Sequence, residues 1–259
     1  MVLVDTHSHI FVQEFDLDRE QTIARAAEVG VQKFILPNID SSSIPRLLET
    51  SQAFPSVCFP LMGLHPTSVG KDFEKELEVV EDWLTQHKFY GIGEIGIDLY
   101  WDKTYVEQQK EAFAYQIRLA KKHNLPIVIH ARNSFDEIFE VLDKENDSAL
   151  RGVFHSFTGG EKEYKRIMSY GGFILGLGGV VTYKNGGVDK VVPLMDTSEI
   201  ILETDSPYLS PVPNRGKRNE PANLIYTAKR VADLLNIDIQ HLASATTANA
   251  IELFGITSK

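Results

Sequence analysis

Eight short apolar runs, separated by stretches with helical periodicity, constrain the fold of this 259-residue chain more than any other feature. The periodic stretches place apolar residues three and four positions apart, as at Phe113, Ile117 and Ala120. Alternation of strand and helix predicts a parallel sheet with right-handed crossovers, and eight such units in about 250 residues match a closed barrel. The predicted strands are Val2–Val4, Lys33–Leu36, Val57–Met62, Gly91–Glu94, Pro126–His130, Gly152–His155, Gly172–Leu177 and Ile200–Thr204.

We therefore expect an α/β fold, a single (β/α)8 TIM-type barrel, over residues 1–259. An open doubly wound sheet is the alternative, although no glycine-rich dinucleotide loop follows the first run. No internal repeat or Pro/Ser-rich linker divides the chain into two units. Because 43% of the residues are hydrophobic, disorder is excluded as the main state.

Composition limits the location and the partners of the chain. A formal net charge of −10 argues against binding nucleic acid through bulk charge, so a nucleic-acid enzyme would need local cations or metal ions. The most apolar stretch, 171–181, contains five glycines in 11 residues and is too short to span a bilayer, so no membrane partner is expected. Met1–Asp5 lacks the basic region of a secretory signal, which favours a cytoplasmic location.

Polar side chains cluster just past the carboxyl ends of the predicted strands. In a barrel those ends converge on one face, where the active sites of this fold are built. Five of the eight histidines would then share one cleft with two carboxylates. These residues are His7 and His9 after the first run, His65 after the third, Glu94 at the end of the fourth, His130 and His155 at the ends of the fifth and sixth, and Asp205 after the eighth.

Taken singly, these residues have ordinary structural explanations. His130 and His155 could be hydrogen-bonded core histidines, and Asp205 could cap the turn before Pro207. Brought together without a cation, the whole set would leave like charges opposed and desolvated polar groups unmatched. With a single cysteine, Cys58, in the chain, any metal site must use histidines and carboxylates.

We therefore expect two divalent metal ions, with Mg, Mn and Zn as the candidates. Imidazole and carboxylate ligands suit Zn or Mn, whereas Mg prefers oxygen. Two ions about 3.5–4 Å apart deprotonate a shared water, so we predict Asp205, as its proton acceptor, and the bridging Glu94 as catalytic residues. The predicted ligands are His7, His9 and Asp205 for one ion, His130 and His155 for the other, and Glu94 between them.

Seven sequence blocks, in order along nearly the whole chain, carry a resemblance to a known family. They are Asp5–His9, Gly63–Pro66, Gly91–Asp98, Pro126–His130, His155–Gly159, Glu203–Tyr208 and Arg215–Pro221. On these blocks the chain resembles the TatD-type metal-dependent deoxyribonucleases of the amidohydrolase-like superfamily. The resemblance implies a (β/α)8 hydrolase with metal ligands at the six positions just given, and nuclease activity on DNA, often as a 3′-to-5′ exonuclease.

Cationic residues near the predicted mouth are candidates to bind substrate. Arg215, Lys217 and Arg218 place three cations within four residues after the last strand, where a phosphate would arrive, although a solvated surface loop is the alternative. His65 and Arg132 lie on the same rim and could hold phosphate oxygens or protonate a leaving alkoxide, unless structural hydrogen bonds occupy them.

Three aromatic residues add a second kind of candidate contact. Tyr100, Trp101 and Tyr183 follow predicted strands and could stack a base of a single strand, although loop aromatics more often cover the core.

The predicted function is metal-dependent phosphodiester hydrolysis by a deoxyribonuclease that takes a single-stranded end, with DNA or a small phosphoester as substrate. Hydrolysis of an amide, ester, lactone or phosphotriester on the same metals is one alternative, because a fold does not fix a function. A non-catalytic scaffold barrel is the other alternative, and the intact ligand set argues against it.

Overall fold

The computed structural model describes residues 1–257. Within this range eight parallel strands follow one another around the fold in sequence order, close to the eight predicted runs. They are β1 (Leu3–Asp5), β2 (Val31–Leu36), β3 (Cys58–Pro60), β4 (Ile92–Asp98), β5 (Ile127–Arg132), β6 (Gly152–Phe154), β7 (Phe173–Leu177) and β8 (Ile200–Leu202).

Helices cover the strands, and each turns an apolar stripe toward them; α4, for example, buries Phe113, Ile117 and Ala120. Within residues 1–257, no helix has the length and apolarity that crossing a bilayer requires. The helices are α1 (Arg19–Glu28), α2 (Ile44–Ala53), α3 (Phe73–Gln86), α4 (Val106–His123), α5 (Phe135–Glu145), α6 (Glu161–Ser169), α7 (Leu224–Leu235) and α8 (Ile239–Phe254).

The connection after β7 departs from the regular strand–helix alternation. Short 3-10 turns occupy the segment between Gly179 and Glu199, in the place where an α-helix follows each of β1 to β6. Glycine is needed at this crossover, because a Cβ on Gly179 would lie 2.2 Å from the carbonyl oxygen of Leu209. The backbone after β7 therefore packs directly against the loop that follows β8.

The strands form two sheets, β1 to β3 and β4 to β8, that meet at two seams. A parallel bridge between Met62 and Ile92 spans the β3–β4 seam, and one between Ser8 and Ser206 spans the β8–β1 seam. The eight strands thus surround a common axis, with their carboxyl ends at one rim.

Strand side chains alternate between the barrel interior and the helices. In β5, Val128 belongs to the interior cluster, while the isoleucines on either side of it pack toward the helices. Phe254, at the end of α8, joins the interior cluster, and the preceding Asn249 donates a hydrogen bond to the carbonyl of Ile200 at the amino end of β8. The interior is therefore closed at its amino end, and the polar residues occupy the carboxyl rim.

Candidate metal centre

Residues that follow β1 and β8 form one half of a polar cluster at this rim, here called the first group: His7, His9 and Asp205. The Nε2 atoms of His7 and His9 lie 3.2 Å apart. Glu94 Oε2 lies 3.1 Å from His7 Nε2 and 3.7 Å from His9 Nε2, and Asp205 Oδ1 lies 3.5 Å from His9 Nε2. Two ring nitrogens and two carboxylates thus point at one small volume, which suits a divalent cation.

The other oxygen of Glu94 faces His130 and His155, here called the second group. Glu94 Oε1 lies 2.7 Å from His130 Nδ1 and 2.8 Å from His155 Nε2. His65, predicted as a substrate contact, also reaches this oxygen, with its Nε2 at 3.4 Å. The two oxygens of one carboxylate therefore face two separate groups of imidazoles.

Glu94 lies inside a strand, which differs from its predicted place at the end of one. The strand β4 continues to Asp98, because Ile95 and Ile97 are buried in the core on the helix side. The pairing with β5 shifts between Ile92 and Ile95, which marks a local irregularity at Glu94. Continuation of the strand brings a second carboxylate, Asp98, into the same site.

Backbone contacts across the β8–β1 seam fix the first group. The Asp205 N–H donates a hydrogen bond of 2.8 Å to the carbonyl oxygen of His7. Asp205 has a φ of 57°, a left-handed conformation that Asp tolerates better than most residues and that is enriched at functional sites. The His155 ring, directly after β6, stacks on His7 with ring centroids 3.8 Å apart. The site therefore draws on both sheets.

Burial and mutual charge set the protonation of the cluster. Burial raises the pKa of Glu94, but His155, His65 and His7 around it hold that pKa well below its usual range. Burial lowers the pKa of His7 and of His65, which favours their neutral, ligating form. Ionised carboxylate beside neutral imidazole is the protonation state that a metal ion requires.

The second group has the opposite tendency. Burial lowers the pKa of His130, yet its hydrogen bonds with Asp98 and Glu94 raise it overall. Burial likewise lowers the pKa of His155, while the charges of Glu94 and Glu203 raise it well above its usual range. A cation bound here would take the place of protons that these imidazoles share with carboxylates.

Two carboxylates beside the second group were not predicted from the sequence. Asp98 Oδ2 lies 2.8 Å from His130 Nε2, and Glu203 Oε1 lies 3.3 Å from His155 Nδ1. Gly176 leaves room for Glu203, since a Cβ there would lie 2.2 Å from Glu203 Oε2. Asp98 is the last residue of the block Gly91–Asp98, and Glu203 is the first residue of the block Glu203–Tyr208. Each block contains a predicted ligand, and this closeness in sequence is the feature that could have indicated the two acids. Such carboxylates orient metal-binding histidines in many proteins.

Comparison with known proteins identifies the family of this chain. Residues 4–255 match the family model described as TatD related DNase. The chain belongs to the TatD-related family of metal-dependent hydrolases.

Relatives and solved structures of this family match nearly the whole length of the chain. The relative named "Uncharacterized metal-dependent hydrolase YabD", from Bacillus subtilis, is 36% identical, with 98% of this chain and 100% of the relative covered. A Citrobacter rodentium protein named "3'-5' ssDNA/RNA exonuclease TatD" is 30% identical, with 99% of both covered. The crystal structure of YJJV, a TatD homologue from Escherichia coli, superimposes with a TM-score of 0.92 at 28% identity, covering 98% of each chain. The predicted barrel is thereby confirmed.

Within this TatD-family barrel, three sets of histidine and carboxylate atoms lie close enough for one ion, counted over residues 1–257. In each set the candidate ligand atoms are all within 4.8 Å of one another. The sets are His7 with His9 and Glu94, His7 with His155 and Glu203, and His65 with Glu94 and His130.

The three cations predicted to contact phosphate differ in their surroundings. Arg218 donates two hydrogen bonds to Asp18, at 2.8 and 2.7 Å, and another to the carbonyl of Glu14. The charge of Arg218 is therefore balanced by a carboxylate. In the described part of the chain, Arg215 and Lys217 form no ion pair with a carboxylate.

Two arginines at the rim stack on aromatic rings. The Arg215 guanidinium carbon lies 3.8 Å from the centre of the Tyr183 ring, and both residues line a surface cavity of about 350 Å³. The Arg132 guanidinium carbon lies 4.0 Å from the centre of the Tyr100 ring. Such a contact between a cation and a π face holds each guanidinium beside its ring.

Proposed function

We propose that this protein uses two divalent metal ions to hydrolyse phosphodiester bonds and removes nucleotides from the 3′ end of single-stranded DNA. The observation that carries the proposal is the position of Glu94, whose two carboxylate oxygens face separate groups of imidazoles. That arrangement suits a bridging ligand between two ions. The exonuclease name of the Citrobacter rodentium relative supports a nucleic-acid substrate.

Two ions bound here would generate a nucleophilic hydroxide from water and stabilise negative charge on the phosphate oxygens. Asp205 is the most exposed carboxylate of the cluster, with 15% of its side chain exposed against 3% for Glu94. Although burial raises the pKa of Asp205, its hydrogen bond to His9 and the nearby His7 hold it below its usual range. Asp205 is therefore ionised at neutral pH and accessible, as the acceptor of a proton from water must be.

Two further carboxylates act on the histidines and would not touch substrate. Asp98 fixes the ring of His130 from Nε2, which leaves Nδ1 directed at Glu94. Glu203 lies behind His155 in the same way, 3.3 Å from Nδ1, while Nε2 points at Glu94. We assign both acids as positioning residues, since they set which ring nitrogen of each histidine faces the site.

Local cations, together with the neutral imidazole of His65, would bind the substrate phosphates. His65 lies beside Glu94, Arg132 is the last residue of β5, and Arg215 and Lys217 lie in the loop after β8. Because the net charge is −10, a long nucleic-acid tract would gain little from the remaining surface. The substrate would therefore be bound mainly through the phosphates near its end.

The test uses protein stripped of metal by a chelator and reloaded separately with Mg, Mn or Zn. Single-stranded DNA labelled at its 5′ end should shorten stepwise, while a 3′ label should be released at once as a mononucleotide. The same assay on RNA and on duplex DNA of the same sequence identifies the preferred nucleic acid. Turnover of an ester or lactone without cleavage of DNA would replace this proposal with amidohydrolase-like chemistry, and full metal loading with no turnover would favour a scaffold.

A further inference from the structure

Two exposed aromatic rings and an arginine lie together beside the second group. In the loop after β4, Tyr100 and Trp101 are 54% and 69% exposed, and their ring centres lie 4.9 Å apart at nearly a right angle. Arg132, the last residue of β5, lies over Tyr100 and 5.4 Å from the Trp101 ring. This much exposure excludes the ordinary explanation that loop aromatics cover the core. We call these three residues the aromatic platform.

The platform is attached to the metal-binding cluster through one carboxylate. Asp98 Oδ1 accepts hydrogen bonds from the backbone N–H groups of Tyr100, at 2.9 Å, and Trp101, at 3.2 Å. Asp98 Oδ2 contacts His130, which contacts Glu94. A ligand on the platform would therefore lie next to the reacting phosphate and not on a remote surface.

Charge and shape indicate what the platform binds. Within residues 1–257 Arg132 forms no ion pair with a carboxylate, so its charge is open to a phosphate oxygen. Exposed aromatic faces accept nucleobases of any sequence, because every base has a π face. A planar base and an adjacent phosphate are the two groups that each nucleotide of a single strand presents.

We infer that the aromatic platform stacks one base within the last two nucleotides of a single-stranded substrate, while Arg132 contacts the neighbouring phosphate. The inference rests on the proposed function and specifies the substrate further. The substrate is a strand whose terminal bases are intact and unpaired. Duplex ends would have to separate before a base could reach Tyr100 and Trp101.

Rates on strands with and without bases test the inference. Wild-type protein should cleave a normal strand about 10-fold faster than one abasic at either of its last two positions, and an abasic site further in should have no effect. Combined Tyr100→Leu and Trp101→Leu should slow only the normal strand and abolish this difference, whereas Trp101→Phe should retain it. Equal cleavage of both strands by wild-type protein, or equal slowing of both by the variant, would overturn the inference.

A binding measurement separates this inference from the nuclease proposal. Because the chain has two tryptophans, Trp83→Phe leaves Trp101 as the sole indole emitter. A normal oligonucleotide should quench this emission and a fully abasic one should not; quenching without cleavage would support the platform and reject the nuclease. Absence of quenching by the normal strand would overturn the platform even if cleavage occurs.

Arg132 has a matched control in Lys88, which precedes β4. Lys88 lies 4.6 Å over the ring of Tyr90, before the amino end of that strand and away from the mouth. Arg132→Ala should raise the KM for the normal strand several-fold, and Lys88→Ala should leave it unchanged. An equal effect of both variants would contradict the role of Arg132.

Discussion

The two groups of histidines around Glu94 differ in how far their ring nitrogens are already engaged. In the first group, the Nδ1 atoms of His7 and His9 have no hydrogen-bond partner within residues 1–257, and both Nε2 atoms face the carboxylates. In the second group, both nitrogens of His130 are paired with carboxylates, Glu94 on one side and Asp98 on the other.

This difference predicts unequal affinities for metal. An ion at the first group would replace carboxylate contacts of 3.1 Å or longer on the Nε2 atoms of His7 and His9, whereas an ion on His130 Nδ1 must displace a shorter contact of 2.7 Å with Glu94. Metal titration should therefore show a tighter site and a weaker one. The tighter site should depend on His7 and the weaker one on His130.

The largest expected effect is on catalysis by the first group. Asp205→Asn removes a negative charge with little change in volume, and activity should fall by about 10²-fold or more, as for loss of a positioned base. Elemental analysis should show reduced loading of the tighter site only, while Glu94→Gln should reduce both. Activity within a few-fold of wild type would mean that another group accepts the proton.

The second group should respond to its positioning carboxylate. Asp98→Ala frees the His130 ring and removes the anchor of the following loop, so the affinity of the weaker site should fall by about 10- to 100-fold. Isothermal titration with Mn or Zn measures both sites at once. Asp102→Ala, which removes an exposed carboxylate that caps Thr104 in the same loop, is the control. Loss of the tighter site in Asp98→Ala would mean that the two groups do not load independently.

The arginines at the rim differ in the same way, because one is paired with a carboxylate and, within residues 1–257, the other is not. Arg215 has no carboxylate partner in the described structure, whereas Arg218 is paired with Asp18. In oligonucleotide binding, Arg215→Ala should reduce the dependence on salt by about one charge unit, and Arg218→Ala should leave it unchanged. Equal reductions would show that Arg218 leaves Asp18 to bind phosphate.

The smallest effect concerns the anchor of the loop after β8. Hydrogen bonds from Arg218, and then from Arg25, lower the pKa of Asp18 below its ordinary value of 3.8. Its contribution to the free energy of unfolding is therefore present above that value and is lost as the pH falls below it. Asp18→Asn should cost about 1 kcal/mol at pH 7, and this cost should shrink as the pH falls from 3.8 toward 2, measured by urea unfolding. A constant difference across this range would exclude the ion pair as the cause.

Much of the fold and the centre of the site could be predicted because strand ends in a barrel converge. That rule alone brought His7, Glu94 and Asp205 together from distant parts of the sequence. The rule does not say where a strand stops, so the extension of β4 to Asp98 was not predicted. The sequence also does not show which carboxylates pair with exposed cations. The pairing of Arg218 with Asp18, for example, joins two loops that are 200 residues apart.

The two seams between the sheets give the metal centre a mechanical role. His7 and His9 follow β1 of the three-stranded sheet, Glu94 lies in β4 of the five-stranded sheet, and Asp205 follows β8 of that sheet. Any ion held by both sets would tie the two sheets together across the seam of the Ser8–Ser206 bridge. Folding and metal loading would then be thermodynamically linked, so that removal of the ions lowers the free energy of unfolding of the whole barrel.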